Sequence, residues 1–119
     1  MMSGAAFGQA GDSVLCAWET EERVYGGRWD PALRKMSRQV AAPEKAKPAK
    51  LPAVAGNRRG ESILAWTEGM GWNRGGSVAW QVFDADGKPT GENGRRDGVP
   101  VWSLVAVCAR SDGGFTIIY

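Results

Sequence analysis

An internal repeat constrains the fold of this chain more than any other feature. Three segments begin with glycine, continue with β-forming residues and end with a large aromatic residue: 11–18 (GDSVLCAW), 60–66 (GESILAW) and 113–119 (GGFTIIY). Their final residues, Trp18, Trp66 and Tyr119, recur at intervals of about 50 residues. A supersecondary unit of this size cannot bury its own apolar surface, so the repeat predicts several units packed side by side.

The composition favours strands over helices. The chain has 17 Gly and 6 Trp but no His in 119 residues, which is typical of many short strands, tight turns and aromatic packing. An apolar fraction of 43% and a charged fraction of 24% are ordinary for a globular domain. We therefore predict one all-β domain over residues 1–119.

Charge and residue types exclude several classes of function. The net charge of +2 comes from 15 basic and 13 acidic residues that are interleaved, so we expect neither a nucleic-acid partner nor a membrane partner. The chain lacks histidine and has no metal-ligand spacing, and we predict no catalytic residue, metal or cofactor within it. Cys16 and Cys108 fall in separate predicted strands, where we interpret them as small buried thiols.

Runs of β-forming residues between Gly, Pro and Asp predict four strands in each repeat. The first repeat has strands at 6–10, 13–19, 23–29 and 36–40, the second at 53–55, 61–67, 77–83 and 89–92, and the third begins with 103–109 and 115–119. The repeats themselves span about 5–41, 52–93 and 101–119. The polar segments 41–52 and 91–100, bounded by proline, are interpreted as crossovers between repeats, with a domain linker as the alternative for the first.

The strand at 77–83 predicts a sheet that is covered on both sides. Val78 and Val82 alternate with Ala79 and Phe83, so both faces of the strand are apolar. The following segment, 84–88 (DADGK), supplies the Asp and Gly of a hairpin turn. Trp18, Trp66 and Tyr119 are accordingly expected to pack between neighbouring repeats.

Four short strands per repeat, with a glycine before and an aromatic residue at the end of the second strand, resemble a β-propeller blade. The motifs GESILAWTEG, GSVAWQVFDADGKPTGE and SDGGFTIIY are similar to those of sialidase-like and related repeat propellers of bacterial, usually exported, proteins. The resemblance implies an incomplete ring of two blades and the start of a third. The remaining blades would come from a longer parent chain or, alternatively, from further copies of this chain, as in small repeat lectins.

The resemblance extends to the fold and not to a catalytic site. The sialidase Asp-box, Ser-x-Asp-x-Gly-x-Thr-Trp, is missing, because 111–116 (SDGGFT) has similar letters at a different spacing. The sequence thus favours a binding or scaffolding module, with a glycan or another small molecule as its ligand. The alternative is a part of a sialidase-like glycoside hydrolase whose catalytic residues lie outside this chain. The segment 1–12 has no signal-peptide pattern, so an extracellular or periplasmic location is implied by the resemblance alone.

The candidate ligand site lies in the loops on one rim. The segment 68–76 (EGMGWNRGG) is far longer than its counterpart in the first repeat, and it places Glu68, Trp72, Asn73 and Arg74 in a glycine-rich frame. Trp102 stands where the chain enters the third repeat and is expected to face the same rim. An exposed indole offers a flat apolar surface, and the amide and guanidinium can bond hydroxyls or a carboxylate. The alternative is that Trp72 folds back over a sheet edge and Arg74 is solvated.

Overall fold

The fold is all-β, as predicted. The structure, a computed structural model, describes residues 4–40 and 48–119 and contains no helix in these ranges. Ten strands form two four-stranded antiparallel sheets and one two-stranded sheet, each in simple up-and-down order. The strands are β1 (Ala6–Ala10), β2 (Ser13–Thr20), β3 (Arg23–Asp30), β4 (Lys35–Val40), β5 (Ala49–Gly56), β6 (Ser62–Glu68), β7 (Gly76–Phe83), β8 (Pro89–Val99), β9 (Ala106–Ala109) and β10 (Phe115–Ile118).

The largest departure from the predicted strands lies in the segments interpreted as crossovers. β8 continues to Val99 through the segment 91–100, because its polar backbone pairs with β7 despite a low intrinsic preference for strands. β5 begins at Ala49, so the second half of the other segment is also a strand, while residues 41–47 lie outside the described ranges. β9 begins at Ala106, three residues later than predicted.

The first hairpin of every sheet has the same register. Ala10 faces Ser13 across the first turn, and the amide of Asn57 donates to the carbonyl of Glu61 at 2.9 Å in the second sheet. In the third sheet the amide of Arg110 donates to the carbonyl of Gly114 at 2.7 Å. Counting along the strands from these pairs puts Trp18, Trp66 and Tyr119 at equivalent positions, so the sequence repeat is a structural repeat.

The second sheet lies between the other two. One apolar cluster joins it to the first sheet through Ala17, Val24, Leu64, Trp66, Ala79 and Phe83. A second cluster on its opposite face contains Ala65, Met70, Val78, Val99 and Val105, with Val107 and Ile117 of the third sheet packed against it. Every residue of β6 is buried. The prediction of a sheet with two covered faces is therefore confirmed.

The equivalent aromatic residues differ in their surroundings. Trp66 is 4% exposed and packs between sheets as predicted. Trp18 is half-buried and stacks on Tyr25 of its own sheet, with ring centroids 5.9 Å apart, and Tyr119 is 37% exposed. The packing prediction is wrong for Trp18, because no sheet in the described ranges covers the face on which it lies. Tyr119 lies on the same side of the third sheet as Ile117, which packs against the second sheet, and it borders a cleft there with Val78 and Trp80.

Local turn chemistry follows the sequence. Asp84 accepts bonds at its Oδ1 from the amides of Asp86 and Lys88, both at 2.9 Å, and Gly87 has a φ of 80°. The predicted hairpin turn after β7 is thereby confirmed. The cysteines are both free, but Cys108 is exposed, and its interpretation as a buried thiol is wrong because the two-stranded sheet leaves one face open.

Candidate functional site

Two loops at one end of the second sheet bring a pair of tryptophans together. Trp72, in the loop between β6 and β7, is 79% exposed, and Trp102, in the loop between β8 and β9, is 62% exposed. Their ring centroids lie 4.8 Å apart with planes at 81°, which is an edge-to-face arrangement. The sequence singled out each residue separately, and the structure places them in contact.

The tip of the first loop is a small hairpin. The amide of Gly71 donates to the carbonyl of Arg74 at 3.1 Å, and the reciprocal bond is 3.4 Å long. Trp72 and Asn73 therefore occupy the two central positions of the turn and are exposed, as is Arg74. The Nε of Arg74 donates to the carbonyl of Gly69 at 3.1 Å, which fixes the base of this side chain beside the loop.

Trp102 is held in a costly backbone conformation. Its φ is 65°, in the left-handed region, where a side chain costs about 1–2 kcal/mol relative to glycine. The amide of Ser103 closes the turn on the carbonyl of Pro100 at 3.2 Å, and the buried side chains of Val99 and Val105 anchor the two ends of the loop. The loop thus holds the exposed indole at a cost in backbone strain.

Glu68 lies beneath the loops and is not part of the exposed surface. The side chain is 4% exposed, and its Oε1 is 3.9 Å from the Nε of Arg95. Its Oε2 is buried and has no hydrogen-bond partner in the described part of the chain. Ser77 lies beside it, accepting from Arg95 Nη2 at 3.1 Å and donating to Asp97 at 2.5 Å. The structure therefore separates Glu68 from Trp72, Asn73, Arg74 and Trp102.

The loops predicted to share a rim do lie at one end of the sheets. The amide of Gly69 donates to the carbonyl of Pro48 at 3.1 Å, and the amide of Ala49 donates to the carbonyl of Glu22 at 2.9 Å. These bonds connect the β6–β7 loop, the start of β5 and the β2–β3 turn. The rim thus combines loops from the first and second sheets with the tryptophan pair.

The opposite end holds a polar cleft that the sequence analysis missed. Its volume is about 840 Å³, and it lies between the first turns of the three sheets. Gly11 and Asp12 line it from one turn, Arg59 from the second, and Arg110 and Asp112 from the third. Of the three arginines that line the cleft, two are ion-paired, Arg59 with Glu61 at 2.9 Å and Arg110 with Asp112 at 3.2 Å, and the third is Arg58. This pairing reduces the positive charge that the cleft presents.

Asn57 connects the three turns around this cleft. Its Nδ2 donates to Glu61 Oε1 at 2.8 Å and to the carbonyl of Gly113 at 2.9 Å. Its own carbonyl accepts from the amide of Gly11 at 3.0 Å. The side chain is 6% exposed, and the asparagine between two glycines in 56–61 (GNRRGE) was the available signal for such a turn-forming amide.

Two carboxylates near this cleft are stabilised in their charged form. The bond from the Asn57 amide, followed by the bond from Arg59, lowers the pKa of Glu61 below its ordinary value of 4.5. The amide of Gly114 and then the Arg110 side chain lower the pKa of Asp112. Among the described residues there is no group of three or more Cys, Asp or Glu side chains that could hold a metal ion.

Comparisons with known proteins give no relative for this chain. No protein-family model matches it, and no significant match was found among the curated proteins or the solved structures. The described residues contain no helix long and apolar enough to span a membrane. The geometry of the site therefore carries the functional argument by itself.

Proposed function

We propose that the chain is a binding module whose rim, formed by Trp72 and Trp102, binds the pyranose rings of a glycan. The exposed edge-to-face pair is the observation that carries this proposal. Large aromatic side chains that remain this exposed are not contributing to a core, and they lose water-exposed apolar area when they stack on a ring. The C–H face of a pyranose is an apolar surface of the right kind for such contact.

Asn73 and Arg74 supply the polar part of the proposed site. They follow Trp72 directly, and both are exposed, so a ring stacked on Trp72 has an amide and a guanidinium within reach of its hydroxyl groups. Because Arg74 is bonded to the carbonyl of Gly69 through Nε, its position costs less entropy to fix on binding. Sites with a few polar groups around an apolar surface are typical of small-molecule recognition.

We further infer that the sheets are blades of a β-propeller. Two observations support this: four-stranded antiparallel units with a common register, and face-to-face packing in chain order. β5 packs on β1 and β2, and β9 packs on β5, so the first strands of the three sheets are neighbours, as strands lining a central axis would be. In such a ring the tryptophan pair would lie on the rim used for ligands.

Titration with soluble oligosaccharides tests the proposed function. Chitohexaose, cellohexaose and xylohexaose are added while tryptophan fluorescence and calorimetric heat are recorded. We expect saturable binding to at least one of them, and at least a tenfold loss of affinity in Trp72→Ala and in Trp102→Ala, equivalent to about 1.4 kcal/mol. Trp29→Ala is the matched control, because Trp29 is 37% exposed but lies on the first sheet.

The outcomes discriminate between the candidate functions. Failure of all three oligosaccharides to bind at millimolar concentration would overturn the glycan proposal. A Trp72→Ala variant that loses thermal stability in proportion to affinity would make Trp72 a packing residue. Release of reducing sugar during the titration would instead favour the alternative, a part of a sialidase-like glycoside hydrolase.

A further inference from the structure

In the described ranges, no other sheet covers one face of the first sheet, and this face carries several apolar side chains. Cross-strand pairing puts one set of side chains on this side of the sheet, here called the leading face: Phe7, Val14, Cys16, Trp18, Tyr25, Trp29 and Met36. Phe7 is 71% exposed, Met36 53%, and Val14 41%. Contiguous apolar surfaces that remain exposed commonly mark interaction sites.

The repeat shows what covers the same face in the second sheet. From the common register, Phe7 is equivalent to Val54 and Trp18 to Trp66, while Cys16 is equivalent to Leu64. Leu64 and Trp66 belong to the core between the first and second sheets, and Val54 packs against it. The leading face of the second sheet is thus covered by the preceding sheet of the same chain.

The opposite side of each sheet, here called the trailing face, is the partner in this contact. In the first sheet it carries Leu15, Ala17 and Val24, which are nearly fully buried against the second sheet or its neighbours. In the third sheet the equivalent positions of the trailing face are Thr116 and Ile118, and Ile118 is 62% exposed. Among the described residues, the stack of three sheets therefore has an open leading face at the first sheet and an open trailing face at the third.

We propose that a second copy of this chain docks head to tail on the first copy. The trailing face of the third sheet in the second copy then covers the leading face of the first sheet in the first copy. The contact continues the two sheet-to-sheet interfaces already inside the chain and uses the same register positions. Because β5 packs on β1 and β2 within the chain, and β9 on β5, the new contact centres on β1 of one copy and on β9 and β10 of the other. Such an interface is heterologous, so it leads to rings or longer assemblies. It does not depend on the proposed glycan site.

Sedimentation velocity over a hundredfold range of concentration tests the association. We expect wild-type protein to form dimers and larger species as concentration rises. Phe7→Glu alters the leading face and Ile118→Glu alters the trailing face, and each variant is expected to remain monomeric. Val14→Glu and Thr116→Glu repeat the two changes at neighbouring positions. Leu33→Glu is the control, because Leu33 is 68% exposed in the β3–β4 turn, on neither face.

Mixing the variants identifies the geometry of the contact. Each variant retains one intact face, so an equimolar mixture of Phe7→Glu and Ile118→Glu should form a dimer that stops at two copies, although neither variant associates alone. Circular dichroism of each variant establishes that the sheets remain folded. A wild-type chain that stays monomeric throughout would overturn the proposal. A face-to-face dimer that Phe7→Glu abolishes and Ile118→Glu leaves intact would also overturn it.

Discussion

At the scale of single residues, the sequence identified Trp72 and Trp102 as exposed tryptophans but did not predict that they contact each other. Trp72 stood out because no alternating strand surrounds it, and Trp102 because it follows a proline-bounded segment. The two residues lie in different loops, which are separated along the chain by β7 and β8. A local sequence pattern cannot predict that two such loops lie close together in space. Asn57 was missed for the same reason, since its partners Gly11 and Gly113 come from the other two sheets.

The strained backbone of Trp102 leads to a prediction that separates stability from binding. Trp102→Gly and Trp102→Ala both remove the indole, so both should lose glycan affinity to the same extent. Alanine at this position still bears the cost of a positive φ, whereas glycine does not. The free energy of unfolding should therefore be about 1 kcal/mol higher for the glycine variant than for the alanine variant. Urea denaturation of the two variants measures this difference. Equal stabilities would mean that the loop relaxes once the indole is removed.

The lowered pKa of Glu61 predicts a sensitivity to acid. A carboxylate whose pKa is lower in the folded state than in the unfolded state stabilises the fold at any pH above its unfolded-state pKa. This contribution is lost as the pH falls through the folded-state pKa. The free energy of unfolding should therefore decrease below about pH 4.5. In Glu61→Gln the decrease should be shallower, as measured by urea titrations between about pH 3 and pH 6. Glu92→Gln, at an exposed position of β8, is the control substitution.

At the scale of elements, seven of the ten strands were predicted within one residue of their bounds, whereas the starts of β5 and β9 were displaced by three or four residues and β8 was mostly missed. β8 carries the sequence PTGENGRRDGV, in which glycine and charge replace the apolar alternation. Its pairing is decided by the neighbouring β7, and its register slips at two points where irregularities interrupt the ladder. An outer strand that buries few side chains has no alternating apolar pattern in its sequence. Such a strand is therefore recognised only from its pairing with the neighbouring strand.

The β2–β3 turn is an element whose sequence conflicts with its geometry. Glu21 and Glu22 have φ values of 51° and 61°, the pattern of a two-residue type I′ turn, which normally contains asparagine followed by glycine. The double substitution Glu21→Asn with Glu22→Gly should raise the free energy of unfolding by about 1 kcal/mol or more, because both positive φ values become inexpensive. Thermal and urea unfolding measure the gain. A loss of stability would mean that the carboxylates make contacts that outweigh the backbone strain.

At the scale of the whole molecule, three sheets are joined by apolar clusters and a small number of polar bonds that cross between sheets. Arg28 of the first sheet donates to the carbonyls of Gly60 and Ala85 in the second at 2.7 and 2.8 Å. Asn57 bonds to the turns of the first and third sheets. The sequence predicted the units and their stacking, because the repeat specifies both. It did not predict which faces remain open, since that depends on what lies at the two ends of the stack.

Because the sheets repeat, the stability contributed by a residue between two sheets can be compared with that of the equivalent residue on an open face. Trp66 and Trp18 occupy the same register position, but Trp66 lies between sheets and Trp18 lies on the uncovered leading face. Trp66→Ala should lower the free energy of unfolding by about 3–5 kcal/mol, because it leaves a cavity in the core. Trp18→Ala should cost much less in the monomer, since Trp18 is only half-buried and stacks on Tyr25 at the surface of its own sheet.

The same pair connects stability with assembly. If a second copy covers the leading face, the cost of Trp18→Ala should increase at protein concentrations where dimers form, because binding to the folded state alone adds stability by mass action. The cost of Trp66→Ala should not depend on concentration. Chemical denaturation at low and high protein concentration measures both variants side by side. In dilute monomer, the two substitutions should lower the free energy of unfolding by different amounts. Equal losses for Trp18→Ala and Trp66→Ala would contradict the assignment of an open face to the first sheet.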